Sequence, residues 1–134
     1  MSDLTSITAV RPTSNTTFNR VQYGATIAAG QPIVKSGTMY VLADANASAA
    51  LAAAEGIAIT PGLSGGYGLM ATGGAVILVG TTMVVGTSYL VSPTAGGIMP
   101  DADRATGSYV TKLGTASTTT QLDLSIVATA VAVP

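Results

Sequence analysis

From Val21 onward, short apolar runs follow one another, each closed within a residue or two by glycine, proline or a small polar residue. Ala25–Ala29 stops at Gly30, Ile33–Val34 at Ser36–Gly37, Met39–Leu42 at Asp44, and Ile57–Thr60 at Pro61–Gly62. Runs this short with turn residues between them predict strands joined by tight turns. Gly73–Gly74 then opens Ala75–Val79, which Gly80 ends, and Met83–Val85, Tyr89–Val91, Ser108–Leu113 and Leu122–Val133 follow as further expected strands. In the last of these, Leu122, Leu124 and Ile126 alternate with Asp123 and Ser125, the pattern of a half-buried strand. One stretch predicts a helix: Ala47 to Glu55 is Ala-rich, with Asp44 and Asn46 as candidate N-caps and Gly56 as the residue past its end. At this length it is stable only when docked on the sheet.

The runs repeat. Gly30-Gln-Pro-Ile33-Val34-Lys-Ser36 matches Gly86-Thr-Ser-Tyr89-Leu90-Val-Ser92, Asp44-Ala45 matches Asp101-Ala102, and Gly56-Ile-Ala58 matches Gly114-Thr-Ala116. The pattern predicts two related β units in one compact barrel or sandwich over residues 21–134. Residues 1–20 differ, being rich in Ser, Thr and Asn with isolated apolar anchors at Leu4, Ile7, Val10 and Phe18. That make-up predicts an extended arm that orders on a partner.

Composition narrows the chemistry. The chain has no His and no Cys, which removes imidazole bases, thiolate nucleophiles, disulfides and the usual zinc sites. Charged residues make up 8%, against about 25% in ordinary domains. Five basic residues face six acidic ones, so no positive field draws nucleic acid. At 48% hydrophobic, the chain is too apolar for charge-driven disorder, and the expectation is a surface covered by copies of itself or by a larger partner. No basic stretch followed by an apolar run marks a signal peptide at the N-terminus. No charge lies between Glu55 and Asp101, and Met70–Val91 is long enough to span a bilayer; its glycines and β-branched residues favour strands, so no membrane is expected.

Four local features have the outline of a site. Gly62-Leu-Ser64-Gly-Gly66 has the outline of a nucleophile elbow, yet no histidine can serve as base, and neither Lys35 nor Lys112 stands at a supporting spacing. Gly65-Gly66-Tyr67-Gly68 lacks the lysine of a phosphate loop and reads as a turn or a close contact. Asp101 and Asp103 offer two cation ligands without the rest of a calcium loop. The tyrosines, at 23, 40, 67, 89 and 109, read as core-edge residues with hydroxyls reaching water. No catalytic residue, metal or cofactor is expected.

The order of Gly30…Ile33-Val34, the strand Met39-Tyr40-Val41-Leu42-Ala43-Asp44, the Ala-rich segment, Gly56-Ile57-Ala58, Gly73-Gly74-Ala75-Val76, Gly86…Tyr89-Leu90-Val91-Ser92, Gly96-Gly97-Ile98-Met99-Pro100 and Leu113-Gly114-Thr115-Ala116 resembles the capsid cement, or decoration, proteins of tailed bacteriophages. The resemblance spans about residues 21–127. It implies a β-rich, non-enzymatic virion protein on the outer surface of the head. Such proteins often stand as homotrimers at local three-fold positions and clamp neighbouring major capsid proteins. The 1–20 arm lies outside the matched region, and Leu4, Ile7, Val10 and Phe18 are its candidate capsid contacts on composition alone. The rival expectation is a fibre or adhesin module that binds a host glycan.

Overall fold

A computed structural model describes residues 3–4, 7–104 and 106–133. Half of the chain is strand, in one sheet that curls into a half-barrel and carries one short helix. The strands are β1 (Ala9–Pro12), β2 (Thr17–Gln22), β3 (Pro32–Ser36), β4 (Met39–Leu42), β5 (Gly56–Ala58), β6 (Tyr67–Val79), β7 (Ser88–Val91), β8 (Ile98–Pro100), β9 (Tyr109–Ala116) and β10 (Gln121–Ala132). The helix α1 (Ala49–Ala52) follows β4, and a 3-10 turn, Asp101–Asp103, follows β8.

Sheet order is β4-β3-β5-β6-β10-β9-β7-β8, with β1 and β2 also on β6. Read outward from the central β6–β10 pair, the two sides carry the same sequence of elements, and the predicted repeat is present residue by residue. Pro32 and Ile33 register with Ile57 and Gly56; Ser88 and Tyr89 register with Thr115 and Gly114. The flanking backbone bonds also match. Gly30 N–H donates to Ala58 C=O at 2.8 Å and Gly86 N–H to Ala116 C=O at 2.8 Å, while Ala58 N–H reaches Gln31 and Ala116 N–H reaches Thr87. Gly30 and Gly86 hold φ of 89° and 84°, a region open to glycine at little cost. Gly56 and Gly114 serve a different need. A Cβ on Gly56 would lie 2.3 Å from the Ala71 carbonyl oxygen, and one on Gly114 would lie 2.1 Å from that of Asp123. Each glycine lets the third strand of its unit press against the fourth.

β6 belongs to both units. Its first half pairs with β2 and β5, its second half with β1 and β10. At the junction Gly74 has φ of 75°, and a side chain there would overlap the Asn15 backbone. This explains a departure from expectation. Residues 9–12 and 17–20, expected in a free arm, are sheet strands, and the polar Thr13–Thr16 segment is the turn between them. The hydroxyls of Thr13 and Thr16 donate to Ala75 C=O, and the Asn15 side-chain oxygen accepts from Ala75 N–H at 3.1 Å. The polar residues satisfy backbone groups freed where β6 changes partners.

The alanines also behave differently from expectation. The helix is four residues long, capped by Ser48, whose hydroxyl accepts from Leu51 N–H at 3.1 Å. Asp44 instead accepts from Asn46 N–H. The chain leaves the helix by Glu55, whose N–H is needed by Ile33 C=O at 2.9 Å, and Gly56 enters β5. Many alanines are core residues: Ala43, Ala45, Ala52, Ala54, Ala71 and Ala116 pack with Val34, Ile57, Val76, Leu78, Leu113 and Leu122. A second cluster joins Val21, Tyr23, Ile27, Ile33, Ala58 and Met70. Two expected strands are loops: Ala25–Ala29 forms one bridge, Ile27 to Gly62, and Met83–Val85 forms none. β1, β2, β8 and the first half of β6 were not expected as strands.

Candidate interaction surface

The Met70–Val91 window is strand, loop and strand, and no helix among the described residues is long and apolar enough to cross a membrane. Ser64 sits on an exposed turn closed by Gly66 N–H to Leu63 C=O at 2.8 Å, with Gly65 at φ 87°. Strand β6 follows this turn, where an elbow would need a helix. Asp101 pairs with Arg104 on an exposed surface, and among the described residues no cluster of three or more carboxylates could hold a metal.

The glycines around this turn hold a tyrosine. The Tyr23 ring is fully buried, and Cβ atoms on Gly62 or Gly68 would fall 2.6 Å or less from it. Its hydroxyl donates to Thr60 C=O at 2.6 Å; burial raises its pKa, and the bond to Thr60 offsets part of the rise. Tyr89 is buried too, its hydroxyl accepting from Val84 N–H at 2.9 Å. These two are core residues, which corrects the core-edge expectation for them. Tyr40 donates to Glu55, and its pKa is raised first by burial and then by that carboxylate. Glu55 also accepts from Lys35 N–H, so a hydroxyl and a backbone amide meet its carboxylate.

Of the four candidate contact residues, Val10 lies in the core, and Leu4 and Ile7 pack half-buried against it. Leu4 N–H donates to Ile98 C=O at 2.7 Å, and Ile7 fills the space beside Gly30. Val10 is covered within the chain, and Leu4 and Ile7 keep part of their apolar surface exposed. Leu4 and Asp3 also border a cleft of about 630 Å³, whose other wall includes Thr87, Tyr89 and Pro100. Phe18 alone of the four stays on the surface, 48% exposed.

Phe18 has company that the sequence reading missed. Side chains two apart on a strand share a face, so Phe18, Arg20 and Gln22 point one way from β2. Tyr67, registered to Gln22, shares that face and is 57% exposed. The Arg20 guanidinium lies 4.5 Å from the centre of the Tyr67 ring, an arrangement worth about 0.5–1 kcal/mol at an exposed site. The Gln22 amide donates to Gly65 C=O at 3.1 Å and ties β2 to the turn bearing Leu63, which is 72% exposed. Phe18, Arg20, Tyr67 and Leu63 thus make an apolar and aromatic ledge with one positive charge. Neither the models of known protein families nor the curated proteins contain a match to this chain.

Proposed function

We propose that this protein is a capsid cement protein of a tailed bacteriophage, bound to the outer surface of the head, where it clamps neighbouring major capsid proteins. The observation that carries the reading is the ledge of Phe18, Arg20, Tyr67 and Leu63: three large apolar or aromatic side chains and one arginine held out on a paired strand and a fixed turn. Exposed aromatics and arginine on a stiff support are the groups that anchor protein interfaces. The rest of the surface has few charges to desolvate when covered. The clamping itself is mass action. Every bound copy contributes binding free energy that is lost when the shell subunits separate, and copies grouped as trimers around a local three-fold axis multiply it.

The test is to add purified protein to expanded heads stripped of decoration and to locate it by electron microscopy. Density on the outer surface, with the β2–β6 ledge against capsid protein, is the expected result. Heads that stay bare at saturating protein would overturn it. The exposed Tyr67 ring favours the glycan-binding fibre reading as the second choice, and a glycan array would then be the assay.

A further inference from the structure

Repeated units bury contact faces against their neighbours, and the end units of a short array each leave one face open. Here the contact between units is one-sided. β4 of the first unit ends against the β7–β8 hairpin of the second: Ala45 N–H donates to Ser92 C=O at 3.2 Å, and Gly96 N–H donates to Ala43 C=O at 2.9 Å. A Cβ on Gly96 would lie 2.7 Å from the Gln31 side chain, so the hairpin presses closely on the first unit, and Ala43 and Ala45 are fully buried there. The repeat matches Asp44-Ala45 with Asp101-Ala102, which places Pro100 and Ala102 at the corresponding positions after β7 and β8. No hairpin covers them among the described residues. Both line the cleft of about 630 Å³, and Ala102 is exposed.

The counterpart of the capping hairpin is the β3–β4 hairpin of the first unit, in which Ser36 corresponds to Ser92. Its tip is uncovered. Lys35, Ser36, Gly37 and Thr38 are all exposed, and a Cβ on Gly37 would meet nothing within 4 Å. We infer that the β3–β4 hairpin of one copy docks in the cleft of the next, repeating between chains the contact that the β7–β8 hairpin makes within one. The charges are complementary. Asp3 is the charged residue of the cleft lining, its carboxylate accepting from the Ser92 hydroxyl at 2.8 Å, and the hairpin brings Lys35 to it. Glu55 stays at the hairpin's base, bonded to Lys35 N–H and to the Tyr40 hydroxyl. Opposite charges across an interface fix register and select the right partner. A hairpin meeting a cleft joins two different surfaces, and such a head-to-tail contact closes as a cyclic ring, the symmetry of the trimer in the capsid reading. Phe18, Arg20, Tyr67 and Leu63 take no part, so the inference holds or fails apart from that reading.

The chain has no cysteine, which permits a direct test in solution without capsids. Thr38→Cys, on the hairpin, is mixed with Ala102→Cys, on the cleft wall, under mild oxidation. The mixture should form a disulfide-linked dimer faster than either variant alone and faster than Ser64→Cys mixed with Ala102→Cys, since Ser64 lies on another exposed turn. Should either variant fail to fold, Ser36→Cys with Thr82→Cys joins the same two surfaces. Light scattering of the native protein should show self-association that strengthens with concentration. Lys35→Glu sets a carboxylate against Asp3 and should raise the dissociation constant about tenfold, with the circular dichroism spectrum unchanged. A native protein that stays monomeric, an assembly indifferent to Lys35→Glu, or cross-linking of 38 to 102 no faster than 64 to 102 overturns the inference.

Discussion

The two β units share a framework and differ in what surrounds it. In both, a hairpin leads to a strand whose buried glycine presses on the next strand, Gly56 against Ala71 and Gly114 against Asp123. The strands that precede the hairpins diverge. In the second unit this strand is the latter half of β6, with Val76 and Leu78 buried and a strand on either side. In the first it is β2, paired on one side to β6 and leaving Phe18 and Arg20 in solvent. The lesson is that backbone register and small residues carry the fold, while the edges left over decide which large side chains stay exposed.

The comparison is broken most severely at the paired glycines. Gly56→Ala and Gly114→Ala each force a Cβ into a backbone carbonyl, and each should cost about 3 kcal/mol or more in urea unfolding. If one were tolerated and the other not, the units would not be equivalent. Met70→Ala and Leu122→Ala remove matched buried side chains on the fourth strands and should each cost about 2–5 kcal/mol.

Tyr23→Phe sharpens the difference between the units, because this tyrosine slot belongs to the first alone. Loss of the bond to Thr60 should cost about 1–2 kcal/mol. The same variant tests pH dependence. The Tyr23 pKa is raised in the folded state, so its contribution is intact below the unfolded value near 10.0 and is lost as pH climbs through the folded value. Stability should therefore fall above about pH 10, and Tyr23→Phe should flatten that fall in denaturation curves taken at successive pH values. The smallest contrast lies after the hairpins. Ser48→Ala should cost about 1 kcal/mol through the lost helix cap, whereas Asp101→Asn, in an exposed pair with Arg104, should leave the melting temperature unchanged.

Much of the framework was legible in the sequence. Gly30 with Gly86 and Gly56 with Gly114 marked the repeat because each answers a local need, a positive φ or a close approach, that other residues meet at a cost. β4 appeared at its expected residues, and β3, β7 and β10 within two residues of theirs. What misled was composition. The Ser, Thr and Asn of residues 13–17 carry the signature of a solvated arm, yet they satisfy backbone groups where β6 switches partners, a need visible only once the sheet is formed. Alanines 47–54 carry helix propensity, which tertiary pairing of Glu55 and Gly56 cuts to one turn. At the surface, Phe18 was found by its isolation among polar residues, but Tyr67 and Leu63 join it through β2–β6 register, which lies some fifty positions away in sequence.

The most direct measurement is the disruption temperature of stripped, expanded heads with saturating native protein and with the Phe18→Ala/Tyr67→Ala variant. The cement reading requires the native protein to raise that temperature and the variant, folded by circular dichroism, to lose most of the rise. Heads that break at the same temperature with and without native protein, or that gain equally from the variant, would contradict it.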